Sequence, residues 1–213
     1  MQRLPIFLSL TNKHAVIVGG GHVAVRHVKK LLSAQIKQIT IYSPTIDDEL
    51  KQLVIMDHVK WVREKIEKPR SFAADLVLLV TSDKELNKQL YDMKAPYQLM
   101  YVASDQNVSD IHFPTTITRG NLTISLSTNG SSPIYAKRMK SKIEDVLHDQ
   151  IEEDLDFLQN VRTRLKEMEL SSTTRKKILH IVAAEEILQM PDRLGYVEAL
   201  IERVKAEESK NKG

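Results

Sequence analysis

Gly19, Gly21 and Ala24 follow an apolar run and stand at the spacing G-x-G-x-x-A. Glycines so placed let backbone amides approach a pyrophosphate, and the helix that follows turns the positive end of its dipole toward the phosphate charge. His22 and Val23 complete the turn, so this stretch points to dinucleotide binding. The same spacing also describes a plain strand-to-helix connection, and the flanks favour the cofactor. Ala15-Val16-Ile17-Val18 is a mostly β-branched run of strand length. Val25, Val28 and Leu32 then recur at helical spacing, Ala24 and Leu31 widen the stripe, and Arg26, Lys29 and Lys30 are free to face water.

Two further groups of residues suit chemistry. Asp105 lies just past the strand-like run 98–103, where a carboxylate tuned by partial burial acts as a general base. The same residue sits in Ser104-Asp105-Gln106-Asn107, a cluster of turn formers, and a turn-forming aspartate is an equal reading. His112, seven residues on, relays protons, ligates a metal or binds substrate, or is just a packed or surface side chain, and no dedicated cluster accompanies the pair to mark a metal site. The segment Ser127-Thr128-Asn129-Gly130-Ser131-Ser132-Pro133 opens a helix, with Lys137, Arg138, Lys140 and Lys142 following. It offers amides and cations to the carboxylates of an acidic ligand, although Ser132 before Pro133 also reads as an ordinary N-cap.

The elements that must position these groups alternate through the first 113 residues. Strand signals fall at 15–18, 38–42, 59–62, 75–80 and 98–103, with helix signals at 45–54 and from Ser82-Asp83 to about residue 93. This pattern predicts an α/β, Rossmann-like parallel sheet covered by helices. Ligands of such sheets bind beyond the carboxyl ends of the strands, so residues 19–23, Ser43-Pro44, Thr81-Ser82-Asp83 and 103–105 should share one crevice. The second strand ends Tyr42-Ser43-Pro44 without the usual ribose-binding acid, leaving Ser43 or backbone groups to meet the adenosine ribose.

Beyond residue 113 the pattern changes. Residues 115–118 and 122–128 flank Arg119-Gly120-Asn121 as a hairpin, and a helix is expected from Ser132 to about residue 147. Ile151, Leu155, Leu158, Val161, Leu165 and Met168 recur at helical spacing, a Met190-Pro191 break precedes a last helix, and residues 207–213 read as a frayed polar tail. The expected organisation is a Rossmann-like dinucleotide-binding domain over 1–113, a small α+β region (hairpin plus helix) over 114–148 and a helical C-terminal domain over 149–213.

Composition narrows the classes. The 213 residues contain no cysteine, which excludes disulfides, thiolate nucleophiles and cysteine-ligated metal centres. A net charge of +3 suits an anionic small molecule better than nucleic acid. No apolar run approaches the roughly 20 residues that span a bilayer. The N-terminal stretch lacks a small-residue cleavage site, so the expected location is the cytoplasm, away from membranes.

Several segments in order carry a more specific likeness: Leu4-Pro-Ile-Phe7, Val16-Ile-Val-Gly-Gly-Gly followed by Val23, Ala24 and Arg26, Thr81-Ser-Asp83, Phe113-Pro114, and Ser127-Thr-Asn-Gly130 with Ser132, Pro133 and Ala136. Through them the whole chain resembles the bifunctional precorrin-2 dehydrogenase/sirohydrochlorin ferrochelatase family of siroheme biosynthesis, in its stand-alone form. The resemblance implies NAD-dependent dehydrogenation of the tetrapyrrole precorrin-2 to sirohydrochlorin, with insertion of ferrous iron (Fe2+) in some members. It implies a homodimer whose interface includes the hairpin region. NAD contacts carry over to His22-Val23 and Ser43-Pro44. The family's key aspartate follows the fifth strand. Counting back from Pro114 places Ser104 at that position with Asp105 beside it, and Asp105, the carboxylate there, takes the role. Thr128 stands where some members carry a phosphorylatable serine. Two other readings fit the same residues: a non-catalytic NAD-sensing module whose helical tail meets a partner, and an enzyme that only chelates.

Overall fold

The computed structural model describes residues 3–105 and 107–210, with side chains through residue 206. The chain divides into two compact units, Met1–Phe113 and Pro114–Gly213.

The first unit is built on five parallel strands: β1 (His14–Val18), β2 (Gln38–Tyr42), β3 (Lys60–Val62), β4 (Leu76–Leu79) and β5 (Leu99–Val102). Their order across the sheet is β3-β2-β1-β4-β5. The two most continuous apolar runs, Ala15–Val18 and Leu76–Leu79, are buried on both faces, which is why they take the centre. Helices α1 (His22–Ser33) and α2 (Asp48–Ile55) cover one face, where Ala24, Val28, Leu31 and Leu50 pack on Ile17, Ile41 and Leu78. Helix α3 (Lys84–Asp92) covers the other, with Leu90 on Val16, Val77 and Met100. From β1 the chain first builds outward through β2 and β3, then returns to β4 on the opposite side of β1. The reversal opens a crevice at the carboxyl ends of β1 and β4.

Helix α2 starts at Asp48, later than expected from residue 45. The Asp47 carboxylate accepts the Glu49 N–H at 3.0 Å and sets the N-cap there, and Ser43 to Ile46 remain a loop. On the far side, residues 109–111 double back along β5. The Asp110 N–H donates to the Met100 carbonyl (2.8 Å), its carboxylate accepts the Met100 N–H (2.9 Å), and Ser109 Oγ accepts the Val102 N–H (2.9 Å). These contacts occupy a sheet edge that would otherwise be free to pair.

The second unit opens with the hairpin β6 (Thr115–Arg119) and β7 (Leu122–Leu126), turned at Gly120 with φ +49°. Helix α4 (Pro133–Glu144) follows, then α5 (Ile151–Glu167), α6 (Ser172–Val182), α7 (Glu185–Leu188) and α8 (Arg193–Lys210). Phe157, Val161, Leu165, Ile178, Val182, Val197, Leu200, Ile201 and Val204 form its core. The hairpin is fastened to α5, since the Asn121 side-chain amide donates to Asp156 (3.2 Å). Helical backbone continues to Lys210 where a frayed tail was expected from residue 207, and residues 211–213 lie outside the described residues.

Candidate functional site

The turn after β1 is held from both sides. The Gly19 N–H donates to the Tyr42 carbonyl at 2.9 Å, and its φ of +116° is one that L side chains rarely adopt. A Cβ on Gly20 would sit 2.3 Å from the Thr45 carbonyl oxygen, so the loop after β2 lies directly on this glycine. The Asp47 N–H closes that loop by donating to the Gly20 carbonyl (2.8 Å). Gly21 is different: a Cβ there would meet nothing within 4 Å. It is the N-cap of α1, no side chain caps the helix, and the first turn carries no acid. His22 and Val23 are exposed beside it. Uncapped N–H groups facing open space at the crevice fit a dinucleotide pyrophosphate, so the residues present suit NAD.

Ser43, expected to offer its side chain to the ribose, is buried, and its hydroxyl lies 2.8 Å from where a Gly20 Cβ would stand. Its carbonyl accepts the Trp61 indole N–H at 2.9 Å, and its N–H donates to the Val62 carbonyl at 3.3 Å. Ser43 therefore pins the start of the loop to β3 beside the glycine turn, while Pro44 is exposed. The Asp47 side chain, 17% exposed, brings one carboxylate oxygen to 3.0 Å from His22 Nδ1.

At the ends of β4 and β5 a fully buried residue joins two loops. The Thr81 hydroxyl donates to Asn87 Oδ1 (2.7 Å), and Asn87 Nδ2 donates to the Thr81 carbonyl (3.1 Å) and to Ser104 Oγ (3.3 Å). Asp83 caps α3 by accepting the Leu86 N–H (2.9 Å), and Ser82 is exposed between them. Asn87 was not among the residues expected at the site. Its signal is a polar residue three positions before Leu90, on the inward face of α3.

Asp105 is exposed, and one of its carboxylate oxygens accepts the Asn107 N–H at 2.8 Å, an Asx turn. The turn-forming contact thus exists, three residues past the end of β5. Gln106 lies outside the described residues. His112 is half-buried just beyond the segment that edges β5. Among the described residues no group of three or more His, Cys, Asp or Glu gathers as a metal site, and no helix is long and apolar enough to cross a membrane.

Under the turn, α1 buries His27 against Tyr101 (ring centroids 4.7 Å apart) and Phe113 (4.5 Å). Desolvation, then the nearby Arg26 and Lys30 charges, lowers its pKa from 6.5 to about 4.

Ser127, Thr128, Asn129 and Lys137 belong to the second unit. Thr128 is half-buried, its hydroxyl accepting the Ser132 N–H and donating to the Ser132 carbonyl, both at 3.2 Å. Ser132 Oγ caps α4 by accepting the Tyr135 N–H (3.1 Å). Ser127, Asn129 and Lys137 are exposed, and Asn129 holds φ +50° beside Gly130 at +85°.

Parallel sheet, glycine turn and open helix terminus define a nucleotide-binding α/β protein. A family model described as "Putative NAD(P)-binding" matches residues 6–115, and one described as "Sirohaem biosynthesis protein central" matches residues 119–145. The precorrin-2 dehydrogenase of Bacillus subtilis is 30% identical over 161 residues, which are 76% of this chain and 99% of that protein. The siroheme synthase of Actinobacillus pleuropneumoniae is 30% identical over 83% of this chain but only 36% of its own length. The solved structure of SirC, a precorrin-2 dehydrogenase, shares the fold at TM-score 0.80 and 20% identity, covering 96% of this chain and 100% of that one. The chain belongs to the precorrin-2 dehydrogenase and siroheme synthase family.

Proposed function

We propose that this protein oxidises precorrin-2 to sirohydrochlorin with NAD. The observation that carries the reading is the glycine turn at the sheet's switch point, where Gly21 leaves open space against an uncapped helix N-terminus. NAD, when bound, supplies the hydride acceptor. The amides of His22 and Val23 hold its pyrophosphate, the backbone of Ser43 and Pro44 borders the adenosine ribose, and Thr81 and Ser82 border the crevice further along. Asp105 takes the proton that leaves the macrocycle as the hydride departs, with Ser104 and His112 beside it in the chain. The substrate is rich in carboxylates, and Ser127, Thr128, Asn129 and Lys137 are the groups assigned to them.

The protein works in the cytoplasm as a homodimer. Ile134, Tyr135 and Val146, all exposed on the second unit, support that assembly. Ferrous iron is a second substrate of the same protein. The test is a coupled assay with purified protein that scores NADH formation and metal insertion separately. NADH formation on adding precorrin-2 is expected. NAD binding without NADH favours the sensing module, and metal insertion that needs no NAD favours an enzyme that only chelates.

A further inference from the structure

We infer that Asp47 supplies the ribose-binding carboxylate that is missing from the end of β2, and that it makes this protein choose NAD over NADP. The inference rests on the NAD reading above. Acids that bind the adenosine ribose stand directly at the end of the second strand, accept from the 2′-hydroxyl and repel a 2′-phosphate. Here that position is Ser43, which is buried against Gly20. The loop that follows does not leave the crevice. Thr45, Ile46 and Ser43 all crowd Gly20, and the Asp47 N–H donates to the Gly20 carbonyl at 2.8 Å. The chain thereby returns a carboxylate to the glycine turn four residues late.

The state of that carboxylate matches the role. One oxygen accepts the Glu49 N–H at 3.0 Å, and the other lies 3.0 Å from Nδ1 of His22, the first residue of α1. A carboxylate has about four acceptor positions, so these two contacts orient it and leave capacity for a hydroxyl pair. The His22 contact places it beside the first turn of α1, where the open helix terminus lies. The Asp47 side chain remains 17% exposed, open enough to receive a ligand.

The test uses the full chain. Asp47→Asn and Asp47→Ser both keep an acceptor for the Glu49 N–H, so the α2 cap survives while the charge is lost. Kd values for NAD and NADP are measured by titration calorimetry, with thermal melting as a control for folding. Wild type binds NAD more tightly than NADP. Both variants weaken NAD by about tenfold, the worth of one charged hydrogen bond, and bind NADP unchanged or more tightly. Variants that lose both dinucleotides equally, or that discriminate as wild type does, overturn the inference and leave the cofactor reading standing. A wild type that prefers NADP overturns the inference and the choice of NAD together, and leaves only dinucleotide binding standing. A wild type that binds neither overturns the cofactor reading and the inference together.

Discussion

Replacing His27 tests the packing beneath the cofactor turn. The residue is 1% exposed on the inner face of α1, and neither ring nitrogen has a hydrogen-bond partner among the described residues. Its pKa is lowered from 6.5 to about 4. The unfolded chain therefore takes up a proton near pH 6.5 that the folded chain refuses until near pH 4. Above pH 6.5 both states are neutral and the full stability is present; it is lost progressively as pH falls through that window. At about 1.4 kcal/mol for each unit, the loss is about 2 kcal/mol at about pH 5 and about 3 kcal/mol below pH 4. His27→Leu removes the titration, and it also removes unpaired buried nitrogens whose burial costs roughly 1–3 kcal/mol. The variant should be the more stable protein at about pH 7.5, with an advantage that grows by about 2 kcal/mol at about pH 5. Urea unfolding followed by Trp61 fluorescence reads the first unit, because the single tryptophan lies on β3. All other groups are common to both proteins and cancel in the difference. An advantage equal at the two pH values, within about 0.5 kcal/mol, refutes the reasoning.

Other predictions separate folding from chemistry. Gly20→Ala drives a Cβ against the Thr45 carbonyl and should cost about 1–3 kcal/mol in urea unfolding. Gly21→Val projects into open space, so the melting temperature should change little while NAD binding by calorimetry disappears. Asp105→Asn should slow NADH formation at least about a hundredfold and leave the NAD Kd intact; near-normal turnover moves the base to Ser104 or His112. Asn87→Ala strands the Thr81 carbonyl and should destabilise by about 1–3 kcal/mol, and its kcat should fall while the KM for NAD holds.

The strands that matter most were legible because burial on both faces leaves a continuous apolar run. Ala15–Val18 and Leu76–Leu79 are such runs, and they hold the centre of the sheet. The start of α2 was not legible. Residues 45–54 carry a weak helical pattern, and the boundary is set by one side chain, Asp47, turning back on Glu49 N–H. Helix α5 shows a related limit. The stripe from Ile151 to Met168 marks the helix, yet the line facing the core runs through Phe157, Val161 and Leu165 and includes a buried acid, Asp154, paired with Arg193 at 2.5 Å. Apolar spacing alone cannot place a charged residue inside, because the partner that makes burial tolerable lies 39 positions away.

The site divides along the same line. Gly19 and Gly21 were readable because the ligand dictates residue type at fixed spacing. Asn87 and Asp47 were not, because each acts on positions that only the fold brings near. Asn87 reaches across to Ser104, a residue on another strand's loop, and Asp47 reaches back to Gly20 through a turn. Both lie on segments that tertiary contacts shape more than local propensity does. This is also where the absent acid of β2 changes meaning. Along the chain Ser43 is a missing ribose ligand; in space it is buried beside Gly20, and the Asp47 N–H bond to the Gly20 carbonyl brings the Asp47 carboxylate to His22.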